Sequence, residues 1–483
     1  MSTQIFKLKY SYMKDSLVWS FIEKVGQFLT NITIAIVLSW LLPPEDFGRI
    51  AILSVLTIVC TTIVDSGLSQ ALIRKINSTN EDYNSVFWFN LVISLVLYVI
   101  LYFSAPFIGY VFNDAKLITT SRILFIAVPL GALTIIQQTI IIKNLQFRKI
   151  AILTIIATFV SGIIGIFLAL NSYGVWSLVW QIIINSFLNV IFIWFVSSWR
   201  PIFKFNFNPI KEFISFSSYI LFSNLLNNIF NNLYTIIIAR FYSSTKLGFY
   251  SQANRFASQP GILVDAIFSR MAYPSLAPLK DNRKSYVTSY KKLQVLVFVL
   301  MTPIMIILIF ISDELINLVL GTQWLPSSDY FKVLCIATIT FPIHPLAMST
   351  LKVFGLSKLI FKLELLKKTL IIALIASFFS FGLKGLVIAQ SLFFILALPI
   401  NMYFSGREIG YKLVKQFKDI LPVLVSNLIA ISFVLFTNYI IAFEGLTKII
   451  LFPLLYALIY GIIILKLSEK WFKRMIFSKK IDL

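Results

Sequence analysis

The chain has 483 residues, of which 58% are hydrophobic and 16% aromatic, while only 13% are charged. Soluble domains carry about 25% charged residues, so a mean hydropathy of +0.88 excludes a soluble enzyme, a disordered chain and a secreted disulfide scaffold. What fits is an all-α polytopic membrane protein. With about 20 apolar residues for each span plus a loop, the length accommodates about fourteen helices and no soluble domain of ordinary size.

The formal net charge of +22 does not read as a nucleic-acid face. Lys and Arg sit in short clusters between apolar runs, as cytoplasmic loops do in membrane proteins. Cys60 and Cys335 lie inside apolar runs and read as small packed residues. One histidine excludes a histidine-based zinc cluster. There is no GxxxxGK[ST] phosphate loop, so ATP is not the direct energy source. No cleavable signal is expected: the start is polar and basic (Lys7, Lys9, Lys14), and the first apolar run lacks a small-residue cleavage site. No cofactor, resident metal or catalytic group is expected.

In chain order, the apolar runs predict spans at 17–42, 48–72, 85–112, 118–142, 150–170, 175–196, 213–241, 251–275, 292–320, 329–355, 359–382, 385–406, 418–442 and 446–466. Alternate loops then differ in charge. One side carries the N-terminal lysines, Arg74 and Lys75, Lys143 to Lys149, Arg200 to Lys211, Lys280 to Lys292, Lys352 to Lys362, Arg407 to Lys418, and a C-terminal set from Lys466 to Lys480. The other carries Arg49, Lys116, Lys246, Lys384 and Lys448. The positive-inside rule puts both termini in the cytoplasm. Loops opposite the basic side are short, for example "PPED" (Pro43 to Asp46) and "NSYG" (Asn171 to Gly174), and leave no room for a periplasmic catalytic domain. Trp40, Trp88, Trp176, Trp199 and Trp324 fall near predicted span ends, as interfacial anchors do.

A shift of 200 residues lays Gly48 on Gly248, Lys24 on Asn224, Gln27 on Asn227 and Asn31 on Asn231. Residues 147–179 resemble residues 356–389 at a slightly larger offset. Six helices separate the copies, which predicts two lobes of like orientation. The expected division is a six-helix lobe at 1–199, a second at 200–417, and two further helices with a basic tail at 418–483.

Polar residues within predicted spans mark a candidate path, since each costs several kcal/mol in hydrocarbon unless it faces water or a partner. In the seventh span Asn224, Asn227, Asn228, Asn231 and Asn232 share one helical face. The first holds Ser20, Lys24, Gln27 and Asn31 with Glu23 beside them; the eighth holds Arg255, Ser258, Gln259, Asp265, Ser269 and Arg270. A hydrated cavity and interhelical hydrogen-bond glue are both open readings of these stripes; cations favour the cavity. Asp65, in "VDSGLSQALIRK", is either a helix-breaking residue or a cation site. His344, between Pro342 and Pro345, is either structural or a proton relay.

The segments "LLPPEDFGRIAIL", "VDSGLSQALIRK", "NLQFRKIA", "YGVWSLV", "SSWRP", "KLGFYSQANR", "YPSLAPLKD", "LVLGTQWLPS" and "KVFGLSK" occur in that order. Together they resemble the polysaccharide-transporter family of the multidrug/oligosaccharidyl-lipid/polysaccharide (MOP) exporter superfamily, the Wzx-type flippases, from about Lys14 to the twelfth helix. The resemblance implies fourteen helices, two six-helix lobes of MATE-like form and a central cavity. It implies translocation of undecaprenyl-pyrophosphate-linked oligosaccharide units across the bacterial inner membrane for O-antigen, capsule or exopolysaccharide synthesis, with polymerase and assembly proteins as partners. Related flippases hold the pyrophosphate with cavity cations; here Lys24, Arg49, Arg255 and Arg270 occupy comparable helices. Where another branch has a first-helix Arg–Asp pair, this chain has Glu23–Lys24.

The expected substrate-binding set is therefore Lys24, Arg49, Asn224, Asn227, Asn231, Arg255 and Arg270. Glu23, Asp65, Asp265 and His344 are the candidates for coupling to H+ or Na+. Rival readings are a lipid II flippase, a small-molecule exporter of the same fold, and a membrane-bound polysaccharide polymerase or ligase. A drug cavity would be acidic or aromatic, and an enzyme would need catalytic groups on a sizeable outer loop.

Overall fold

The computed structural model describes residue 19 and residues 24–75, 77–144 and 147–467. Regular structure there is helical, with no strand among the described residues. The helices are α1 (Lys24–Leu41), α2 (Pro44–Asp65), α3 (Leu68–Arg74), α4 (Asn80–Val111), α5 (Lys116–Leu124), α6 (Ala127–Lys143), α7 (Phe147–Leu170), α8 (Val175–Val196), α9 (Asn208–Asn231), α10 (Leu233–Phe241), α11 (Ser244–Leu276), α12 (Arg283–Phe310), α13 (Ser312–Leu320), α14 (Ser328–Thr338), α15 (Ile343–Val353), α16 (Ser357–Phe378), α17 (Gly382–Ile409), α18 (Leu413–Ile441) and α19 (Gly445–Leu467). Packing divides the chain into two compact units, Met1–Ser251 and Gln252–Leu483. Glu23, the N-terminal lysines and the tail beyond Leu467 lie outside the described residues, as does the side chain of Arg270.

Eleven segments among the described residues are long and apolar enough to cross a membrane. One of them, Ser357–Ile409, holds both α16 and α17. Helices α9 and α11 fall outside the set because their polar stripes dilute the apolar content. Side chains such as Phe103, Phe195 and Tyr439 are 74%, 84% and 87% exposed. On a water-soluble surface such residues would be a liability; against lipid they are at home.

Several predicted spans are broken helices, and local chemistry explains most of the breaks. Pro43 and Pro44 open α2, where a missing N–H is harmless, and Glu45 and Asp46 in the first turn suit the positive end of the helix dipole. Ser66 (φ 50) and Gly67 (φ 71) close it, so the span predicted at 48–72 is α2 plus the short α3. A side chain at Gly67 would crowd Ile220 and the Ser217 carbonyl on α9. Proline rings clash with the carbonyl four residues earlier. Pro129 therefore separates α5 from α6 near Phe125, and Pro345 separates α14 from α15 near Phe341. Thr79 and Asp82 form a capping box at the start of α4, with bonds of 2.8 and 3.2 Å.

In the first unit, Leu68, Leu72, Phe87, Ile136, Ile210 and Phe213 form a buried cluster against which Trp88, Trp194 and Trp199 pack. The connection from α8 to α9 is strapped along the start of α4. Asn84 Oδ1 accepts from Ile202 N (2.9 Å), Ser85 Oγ accepts from Asn206 N (3.2 Å), and Phe203 stacks on Trp88. The second unit is stitched by buried polar pairs. Tyr290 bonds Ser405 (3.1 Å), Gln294 donates to Gln416 (3.3 Å), and Asp419 takes both Lys291 and Tyr411 at 2.5 Å. Cys60 and Cys335 are both free and buried.

Candidate functional site

Helix α2 carries two of the expected site residues, Arg49 and Asp65, about 24 Å apart along its axis. Their surroundings differ completely.

Near the Pro44 end, Arg49 is 4% exposed. Its Nε donates to Asp114 Oδ2 (2.7 Å) and its Nη1 to Asp46 Oδ1 (2.8 Å), while Nη2 bonds Glu45. Ser244 Oγ, in the first turn of α11, donates to the same Asp114 oxygen at 3.1 Å. The planar fork of arginine lets one cation serve three carboxylates. Backbones meet beside it. A Cβ on Gly48 would lie 1.8 Å from the Ser244 carbonyl oxygen, and one on Gly248 would lie 1.8 Å from the Pro44 carbonyl oxygen. The two glycines aligned by the 200-residue offset thus face each other reciprocally, in a crossing that admits no side chain.

Near the Asp65 end, α2 and α9 leave an open cavity of about 280 Å³ lined by Thr61, Thr62, Asp65, Asn224, Asn227 and Asn228. Asn228 Nδ2 donates to Thr62 Oγ1 (2.7 Å), fixing the helices to each other at one edge. The hydroxyls of Thr61 and Thr62 donate back to the Ile58 carbonyl, at 3.0 and 2.7 Å. One Asp65 oxygen accepts the Ser69 N–H at a long 3.4 Å.

The structure therefore brings Asp65, Asn224 and Asn227 together. Asn231 is exposed at the last residue of α9, beyond which the helix breaks at Asn232 (φ −103, ψ 7). Lys24 is exposed at the first described residue of α1. Arg255 and Asp265 are half-buried on the part of α11 that belongs to the second unit. His344 is in the first turn of α15; its Nδ1 meets the Asn401 amide, and Nε2 is buried with no partner. Glu23 and the Arg270 side chain lie outside the described residues.

Residues absent from the expected set are Thr61, Thr62 and Asn228 in the cavity, and Asp114 and Ser244 around Arg49. Thr61 and Thr62 had a readable signal, lying four and three residues before Asp65 and hence on its face. Asp114 had none, because it belongs to the turn between α4 and α5, far from Arg49 in sequence.

At the foot of this region, basic side chains are committed locally. Lys143 Nζ donates to the Leu72 carbonyl (3.1 Å), the Lys75 carbonyl (2.5 Å) and Ser78 Oγ (2.8 Å), closing the C-terminal end of α3. Lys75 pairs with Asp82 (3.1 Å) and Glu212 (3.0 Å). Burial pulls the Lys75 ammonium down, but bonds and charges of those two carboxylates outweigh it and leave it above the ordinary lysine value.

A family model described as "Polysaccharide biosynthesis protein" matches residues 37–329. The succinoglycan biosynthesis transport protein ExoT of Rhizobium meliloti (strain 1021) is 26% identical over 306 residues, which are 63% of this chain and 62% of that protein. The teichuronic acid biosynthesis protein TuaB of Bacillus subtilis (strain 168) is 28% identical over 293 residues, 59% of each. The chain thus spans about six tenths of the length of these two relatives. A solved structure of the lipid II flippase MurJ, in an inward closed conformation, matches with a TM-score of 0.71 at 16% identity, covering 94% of this chain and 99% of that one. That likeness is one of fold.

Proposed function

We propose that this chain, which belongs to the polysaccharide biosynthesis protein family, is a flippase that carries lipid-linked oligosaccharide units across the bacterial inner membrane. The observation that carries the reading is the open, polar-lined cavity between α2, an apolar span, and the asparagine-striped α9. Each sugar hydroxyl taken into hydrocarbon without a partner costs roughly 2–7 kcal/mol, so an oligosaccharide needs a wet, hydrogen-bonding path. A relative named as a transport protein and a flippase of the same fold support it.

With α9–α10 and α11 taken as spans and α16 and α17 counted separately, the chain crosses fourteen times. The positive-inside rule then sets the Asp65 end of α2 toward the cytoplasm and the Pro44 end toward the periplasm. The head group enters the cavity from the cytoplasmic leaflet while its lipid tail stays in the bilayer. The Gly48–Gly248 crossing and the Arg49 network keep the periplasmic end shut and must part for release. Arg49 is committed to three carboxylates in this conformation, so we assign it to closure, and we assign the attraction of pyrophosphate to Lys24, Arg255 and Arg270. Two negative charges moving outward gain about 5 kcal/mol per 100 mV of inside-negative potential. We take the potential as the drive, with coupling to H+ or Na+ as the alternative that collapse of the pH and sodium gradients tests.

The test is reconstitution of the full chain in proteoliposomes with polyprenyl-pyrophosphate-linked oligosaccharide in the inner leaflet. Turnover should rise with an imposed potential and should survive collapse of pH and sodium gradients at constant potential. Parent-like turnover in Lys24→Ala and Arg255→Ala would remove those cations from the mechanism, and no turnover by the parent would remove the function.

A further inference from the structure

Six side chains line the α2–α9 cavity, and among them are one carboxylate, three carboxamides and two hydroxyls but no Lys or Arg. The hydrogen-bond inventory of the α2 wall is one-sided. The hydroxyl protons of Thr61 and Thr62 are both spent on the Ile58 carbonyl, which leaves their oxygens as acceptors. An ionised Asp65 can only accept, and its one backbone donor, Ser69 N–H, is long at 3.4 Å. The α9 wall offers amides, which both donate and accept, and the Asn228 amide is partly engaged with Thr62.

A wall of acceptors calls for a ligand rich in O–H or N–H donors. A pyrophosphate is acceptor-only and anionic, so here it would find no donor on α2 and a like charge at Asp65. A bare cation would want oxygens converging within about 2.6 Å of one point, whereas these groups line an open cavity of about 280 Å³. That volume lies just below the range of small-molecule pockets and suits one or two sugar rings.

We infer that this cavity is a saccharide subsite in which Asp65, Thr61, Thr62 and the asparagines receive the hydroxyls of a neutral or N-acetylated sugar, and that Asp65 disfavours units bearing a uronic acid. The pyrophosphate is held elsewhere. This rests on the flippase reading and deepens it by naming the charge class of the cargo.

Three synthetic probes test it on the full chain in proteoliposomes: a polyprenyl pyrophosphate carrying an N-acetylhexosamine disaccharide, the same carrier with a terminal uronic acid, and the sugar-free carrier. The parent should move the neutral cargo on the order of tenfold faster than the acidic one. Asp65→Asn should erase most of that ratio by raising the acidic rate, with the sugar-free carrier unchanged. Asn224→Ala should raise the KM of the neutral cargo and leave the sugar-free carrier alone. A parent that prefers the acidic cargo, or an Asp65→Asn variant that slows all three probes equally, overturns the subsite. If the parent moves none of them, the flippase reading falls by itself, and titration calorimetry of the same probes in detergent then decides the subsite. Tighter binding of the neutral probe, with the difference lost in Asp65→Asn, upholds it; equal binding overturns it.

Discussion

The two ends of α2 solve the same problem in opposite ways. Both place ionisable and polar groups on an apolar helix. At the Pro44 end, Arg49 is sealed by Asp46, Glu45 and Asp114, and the backbones of α2 and α11 touch at paired glycines. At the Asp65 end, the carboxylate is partnered, among the described residues, only by Ser69, whose N–H lies at a long 3.4 Å, and lines an open cavity among amides. A charge in a membrane helix is therefore not in itself a sign of transport; the test is whether its partners already satisfy it. Satisfied groups hold an element in place, and unsatisfied groups are available to a ligand.

The comparison breaks most readily at the glycines. Gly48→Val and Gly248→Val should each cost roughly 3 kcal/mol or more or prevent assembly of this end, because carbonyl backbone occupies the space. Denaturation midpoints in detergent measure it, and parent-like stability in both variants would mean the crossing is not tight. Arg49→Met should cost about 3–5 kcal/mol by stranding buried carboxylates. Arg49→Lys should rescue it poorly, because a point charge cannot engage three partners. Adding Asp114→Asn to Arg49→Met should recover part of the loss in a double-mutant cycle.

At the open end the expected effect is small. Asp65→Asn should change stability by less than about 1 kcal/mol while altering cargo choice; a large loss would place Asp65 with the sealed groups. Smallest of all is Lys75, partly exposed, where Lys75→Met should cost at most about 1 kcal/mol. Since the folded ammonium is held above the ordinary lysine value, near 10.4, its contribution should be complete below that pH. It should fade as pH rises through the higher folded value. The difference in melting temperature between parent and Lys75→Met, followed from neutral to strongly alkaline pH, reports it.

How far these features are legible in the sequence depends on the range of the interaction. The all-helical membrane class follows from composition. The start of α2 does not, since the apolar run begins the span at 48 and leaves "PPED" as loop, whereas the helix already begins at Pro44. The asparagine face of α9 follows from helical spacing, and Asp65 from its place beside Ser66–Gly67. The same asparagines make α9 too polar to score as an apolar segment, so pattern and composition disagree on that helix. Arg49 reads as an outer-side cation and a candidate for holding pyrophosphate; its ion-pair network is not legible, because Asp114 and the Ser244 hydroxyl come from distant turns. Thr61 and Thr62 are legible through their spacing to Asp65, but their place as cavity lining needs α9 laid beside them.

Burial of Cys60 and Cys335 has a practical consequence. The native chain starts from a nearly silent background for maleimide labelling, so an introduced thiol is the reactive one. Asn227→Cys and Tyr173→Cys, both at exposed positions, would report through a membrane-impermeant reagent which face of an oriented vesicle each one reaches. The same pair of variants would follow the exposure of each face through a turnover cycle.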